Sequence, residues 1–252
     1  MIGVAVGIGM LLARIGAFVA FLPLLGGQPT PRLVKMGLTL GLAWCFFADG
    51  VTVPPALRDA ESTIAWPYAY MLIARELALG GILGYVMGLF LLPAKIAGEL
   101  MSQEMGMTFG SLVSPSSEGA SSPLASLFEM IAGAMFLTFD GHHLFFATLA
   151  GSFRLHPAGE SIAIPMHEMT AGLSAAEEAG LILAGPAILC LFLTTVCLAF
   201  LSRLAPQWNL YTVGFPARVL IGLLAAITVL PQMLSAMSRM FGRFADILAW
   251  AR

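Results

Sequence analysis

The chain has 252 residues, of which 59% are hydrophobic and only 10% charged, and its mean hydropathy is +0.90. About a quarter of an ordinary soluble domain is charged, so a soluble fold of this size could not cover its surface with these residues. The 12 Lys and Arg nearly cancel the 14 Asp and Glu, which leaves no basic surface for a nucleic-acid backbone.

Six or so apolar segments follow in chain order: Val4 to Leu22, Leu33 to Ala48, Tyr68 to Leu92, Ser126 to Ala150, Leu181 to Leu201 and Val213 to Met233. Most reach the roughly 20 residues that cross a hydrocarbon layer as a helix. The first has no basic stretch before it and no small-residue cleavage site leading into a soluble body, so a retained helix is expected. The second is short. The fourth is interrupted at Asp140-Gly141 and reads as one broken helix or two short ones. Strands would need alternation and β-branched enrichment; these runs are rich in Leu, Ala, Met and Gly, and in a bilayer such runs form helices. The expected class is an all-α membrane protein, a single domain over residues 1–252.

Glycines recur at four-residue spacing: Gly3 and Gly7, Gly37 and Gly41, and Gly80, Gly84 and Gly88. That spacing puts small residues on one helix face, where a neighbouring helix can come close; ordinary packing accounts for it as well. Arg14, Arg75, Glu76 and Glu129 interrupt apolar segments, and a charge near mid-bilayer costs at least roughly 2.5–3.5 kcal/mol. Two readings stand: salt bridges between helices, or a conduction path or interface away from lipid. Arg75 and Glu76 are adjacent, share no helix face, and are not expected to pair with each other. For six spans the basic residues divide evenly, with Arg32, Lys35, Lys95, Arg203 and Arg218 on one side and Arg58, Arg154, Arg239, Arg243 and Arg252 on the other. The positive-inside rule therefore sets no orientation.

Catalytic chemistry finds little support. Cys45, Cys190 and Cys197 lie in apolar runs without a Cys-x-x-Cys pair and read as small buried hydrophobes. His142 and His143 follow Asp140-Gly141, and His156, His167 and Glu168 are expected in the next loop. Adjacent histidines point apart on a helix, and HEMT at 167 to 170 lacks the second histidine of a zinc helix. The plainer reading has Asp140 or Gly141 capping a helix with both histidines in its first turn. No nucleophile elbow and no nucleotide-binding glycine fingerprint occurs. No cofactor, metal or enzymatic activity is expected.

The stretch from Pro93 to Pro123, PAKIAGELMSQEMGMTFGSLVSPSSEGASSP, is the most unusual. A helical portion carries Glu99 and Glu104, and a Gly, Ser and Pro-rich portion follows. Met101, Met105, Met107 and Phe109 make a pliable apolar patch, and Gly106 and Gly110 let the backbone bend. It reads either as an element that seals or touches a moving partner or as a plain re-entrant loop.

Four stretches carry a family resemblance: LARIGAFVAFLPLLGGQPTPRLVKMGLTL (12 to 40), AGELMSQEMGMTFGSLVSP (97 to 115), FLTFDGHHLFFATLAGSF (136 to 153) and LSRLAPQWNLYTVGFPARVLIGL (201 to 223). In this order and spacing the chain resembles the FliR/SctT family of type III export-gate subunits over nearly its whole length. The resemblance implies bent helices and helical hairpins like a fusion of FliP-like and FliQ-like subunits. It implies a place in a ring of those partners, alongside FlhB-like and FlhA-like components. Such a gate conducts unfolded proteins across the bacterial inner membrane at the flagellar basal body, and the assembled ring is raised toward the periplasmic side.

Carried over from the family, a plug-like loop at about 106–123 has Phe109 and Leu112 as pore residues, with Met105 and Met107 supporting them and Gly106 and Gly110 as the hinge. The sequence departs from the flagellar pattern at Leu112, where phenylalanine is common, and at Ser114, where aspartate is common. The stretch APQWNLYTVGFP favours the flagellar branch over the injectisome branch. A stand-alone solute transporter is the rival class, suggested by buried charges and broken helices.

Overall fold

A computed structural model describes residues 2–22, 31–48, 66–107, 122–159, 166–205 and 210–250. Every regular element among them is a helix: α1 (Ile2–Phe21), α2 (Arg32–Ala48), α3 (Trp66–Gly88), α4 (Leu92–Met105), α5 (Pro123–Thr138), α6 (Gly141–Leu155), α7 (Met166–Leu204) and α8 (Leu210–Trp250). The protein is an all-α membrane protein. Among the described residues, three helical stretches, Pro67–Gly88, Met169–Leu204 and Thr212–Met240, are long and apolar enough to cross a bilayer, and α5 with α6 forms a broken fourth candidate.

The chain divides into two compact units. The first comprises Met1–Leu89, Asp140–Met169 and Arg243–Arg252. Here α1 packs along α3, with α2 also against α1. The glycine stripe makes the approach possible. A Cβ at Gly80 would collide with the carbonyl oxygen of Arg14, and one at Gly84 would lie 2.8 Å from the carbonyl oxygen of Phe18. Met10, Ile15, Phe18 and Val19 of α1 are fully buried as a result. Phe18 meets Phe145 of α6 at 4.4 Å between ring centres, and Phe46 of α2 meets Phe153 of α6 at 5.5 Å. The same four-residue spacing on α2 has another outcome, since nothing lies within 4 Å of a Cβ built at Gly37 or Gly41.

The second unit comprises Phe90–Phe139 and Thr170–Gly242, and α4 is buried along one face from Pro93 through Met105. Three glycines bring neighbours against this short helix. At Gly98 a Cβ would stand 2.5 Å from Cα of Ala125 in α5. At Gly180 of α7 it would stand 2.8 Å from Ile96, and at Gly222 of α8 it would stand 2.6 Å from Cγ of Met105. Local signals fix the helix ends. Pro93 stands in the first turn of α4 and Pro123 in the first turn of α5, where a missing N–H costs nothing.

Several expectations change. The fourth segment is two helices, broken where Asp140 takes a left-handed conformation (φ 58°). The fifth and sixth are much longer than expected: α7 passes through Pro186 and α8 through Pro216 and Pro231. Proline is tolerated inside membrane helices because neighbouring groups satisfy the freed carbonyls. His167 and Glu168 consequently belong to the first turn of α7, not to a loop. All three cysteines are exposed rather than buried, because in this protein an apolar run does not imply a core: Trp44, Phe192 and Leu204 are more than half exposed too.

Candidate functional site

Most of the predicted residues that are described fall into two places, one in each unit. In the first unit, Arg14 of α1 and Glu76 of α3 are 0% and 1% exposed and form an ion pair, with Nε 2.6 Å from Oε2. Glu76 stands near the middle of the candidate span Pro67–Gly88, where an unpaired carboxylate would be costly. Pairing is only part of what these groups do. Nη1 of Arg14 donates to the carbonyls of Ser152 (3.0 Å) and His156 (2.9 Å), and Oε1 of Glu76 accepts from the N–H of Gly159 (3.0 Å). Ser152 stands in the last turn of α6, where its carbonyl also accepts the N–H of His156 (3.0 Å), and His156 ends the helix, so the guanidinium places its charge at the negative end of the α6 dipole. The guanidinium also lies 4.3 Å from the ring centre of Phe153, and its Nη2 has no hydrogen-bond partner among the described residues.

This favours the salt-bridge reading for Arg14 and Glu76. Arg75 and Glu129 are half-buried and form no ion pair among the described residues. As expected from their adjacency, Arg75 and Glu76 do not pair with each other.

At the start of α6, Asp140 occupies the N-cap position but its side chain makes no capping bond. His142 and His143 lie in the first turn, as expected, yet their rings do not diverge. Their centres are 4.3 Å apart, and with Asp140 their ligand atoms all fall within 4.8 Å of one another. The three side chains are exposed, with Nε2 of His142 4.0 Å from Oδ1 of Asp140. The positive end of the α6 dipole beneath them opposes a bound cation.

In the second unit, the end of α4 and the two residues after it are the predicted loop residues that are described. Met105 is fully buried against Gly222, while Met107 is half-buried. Gly106 ends the helix at φ 78°, its N–H donating to the carbonyl of Gln103 while Met107 N donates to that of Ser102. This paired bonding is a Schellman cap, which requires a left-handed residue after the helix. Phe109, Gly110 and Leu112 lie outside the described residues. Where the chain returns, Ser122 accepts from Ala125 N through Oγ (3.3 Å), and its own N–H donates to Oε2 of Glu99 (3.3 Å). Glu99 was legible as an acidic residue on a helix, but its partner 23 positions later was not.

The cap at Gly106 gives a direct expectation. Gly106→Ala places a Cβ in the left-handed region and should destabilise the α4 terminus by about 1–2 kcal/mol, whereas Gly106→Asn, which tolerates that conformation, should lose less. Melting temperatures of the two purified variants in detergent check the order; equal loss would remove the cap from the explanation.

The family model described as "Bacterial export proteins, family 1" matches residues 5–244. The flagellar biosynthetic protein FliR of Escherichia coli (strain K12) is 27% identical over 243 residues, covering 94% of this chain and 89% of that protein. FliR of Bacillus subtilis (strain 168) is 28% identical, covering 86% and 83%. The surface presentation of antigens protein SpaR of Shigella flexneri is 24% identical over 66% of this chain and 64% of its own length. With a match running through both units, from α1 into α8, this chain belongs to family 1 of the bacterial export proteins.

Proposed function

We propose that the chain is a subunit of the flagellar type III protein export gate, helping to conduct unfolded flagellar proteins across the bacterial inner membrane. The observation that carries the reading is the family match over residues 5–244, together with FliR relatives that align over 86% and 94% of the chain. The exposed apolar helix faces support assembly with other membrane subunits: Leu33, Met36, Leu40 and Trp44 of α2 are all at least 58% exposed. Lipid or protein must cover such a surface. The partners we infer are FliP-like and FliQ-like subunits in a ring, with FlhB-like and FlhA-like components near it. The finished gate would be raised toward the periplasmic side. Phe109 and Leu112 would seal the conduit, with the 106–123 stretch as plug. In this reading the work is physical rather than catalytic.

The injectisome branch is the second reading, and SpaR is the observation that keeps it; its shorter alignment makes it the weaker one.

Tagged protein extracted from its native membrane tests the proposal. It should co-purify with small multi-pass partners, and its deletion should abolish export of flagellar proteins and flagellum assembly. A chain that purifies alone, binds a small solute and is dispensable for export would instead be a stand-alone transporter.

A further inference from the structure

A helix start is well served when two bonds are made in opposite directions. The N-cap side chain accepts from the N–H of the third residue, and a Glu or Gln at that third position reaches back to the N–H of the cap. In α5 the first bond is present, from Ala125 N to Oγ of Ser122. The second cannot be made from the same position, because the third residue is Ala125. Ala125 is itself 0% exposed, and its backbone lies so close to Gly98 that a Cβ there would stand 2.5 Å from its Cα.

The missing acceptor is supplied from another helix. Oε2 of Glu99 receives the Ser122 N–H at 3.3 Å. Glu99 neighbours Gly98, the residue whose missing side chain lets α5 approach. Gly98 and Glu99 therefore serve one contact: the glycine admits the first turn of α5, and a carboxylate oxygen completes its cap. Met105 and Gly106 of the same α4 fix the departing chain. Both Met107 and Ser122 are thus held on one helix.

We propose that Glu99 is a positioning residue for export, acting through Ser122 as the second half of a capping box shared between α4 and α5. The inference rests on the export-gate reading for its functional consequence, though not for its geometry. What matters is the acceptor oxygen, so glutamine at 99 retains the function and alanine does not.

The test uses the assembled wild-type complex and the variants Glu99→Ala and Glu99→Gln. It measures hydrogen exchange at the Ser122 amide, complex yield and export rate. Glu99→Ala is expected to speed Ser122 exchange and slow export, each about fivefold, the population shift that loss of an ordinary cap produces. Complex yield should hold, and Glu99→Gln should stay within about twofold of wild type by the same argument. Unchanged Ser122 exchange in Glu99→Ala overturns the proposal. So does an export defect equal in Glu99→Gln, which would assign the effect to charge, or a fall in complex yield that matches the fall in export, which would make Glu99 merely structural. Export that survives deletion of the whole chain would sink the export-gate reading instead, while the Ser122 exchange would still decide the cap.

Discussion

Exchanging the two buried charges, Arg14→Glu with Glu76→Arg, is expected to be as damaging as either single replacement. If the pair existed only to neutralise itself inside apolar helices, the exchange would preserve it. The hydrogen bonds forbid that. At position 14 the side chain must donate twice to the carbonyls of Ser152 and His156, and at position 76 it must accept from Gly159 N–H. A carboxylate cannot donate and a guanidinium cannot accept, so the exchanged pair strips the His156 carbonyl and the Gly159 N–H of these partners and leaves the Ser152 carbonyl with the His156 N–H alone.

Removing one partner, as in Arg14→Ala or Glu76→Ala, should cost about 3–5 kcal/mol, the usual consequence of stranding a buried charge. Arg14→Lys should lie between these and wild type, since an ammonium donates but has neither a second nitrogen to hold Glu76 while the first reaches both carbonyls nor the flat face beside Phe153. Steady-state amount in the membrane and thermal melting of the extracted protein measure the series. Recovery in the exchanged double variant would reduce the cluster to a simple ion pair.

That cluster also marks the limit of sequence reading. Arg14, Glu76 and Glu129 were conspicuous because charge in an apolar segment is costly wherever it lies, a fact independent of tertiary structure. Their partners were not legible. Glu76 is 62 positions from Arg14, and the groups that complete the site are main-chain atoms of Ser152, His156 and Gly159, which carry no side-chain signature. The break at Asp140-Gly141 was visible, because that dipeptide interrupts a long apolar run. The convergence of His142 and His143 was not, because exposed side chains in a first helical turn are free to rotate. The ends of α7 and α8 were misjudged for a related reason: polar residues and prolines that would stop a soluble helix did not stop these.

Gly80→Ala should be the most damaging single-methyl addition among the described glycines of the first unit, and Gly41→Ala should be slightly stabilising. Both glycines sit in four-residue stripes on apolar helices, and the sequence does not distinguish them. Their surroundings do. A methyl at 80 meets the backbone of α1 at Arg14, which cannot swing aside as a side chain end could, and the same methyl sits beside the buried ion pair's own helix turn. The helices must part, at the upper end of the roughly 1–3 kcal/mol that overpacking costs. Gly84→Ala should follow closely, against Phe18 and Phe21. At 41 the methyl meets nothing within 4 Å, so the extracted chain should gain up to about 1 kcal/mol from helix propensity alone. Melting curves of the three variants give the order directly, and a Gly80→Ala protein as stable as wild type would mean that α1 does not lie on the stripe. The contrast carries a general point about membrane sequences: a small-residue stripe states that a helix can be approached, and only the neighbour's backbone states whether it has been.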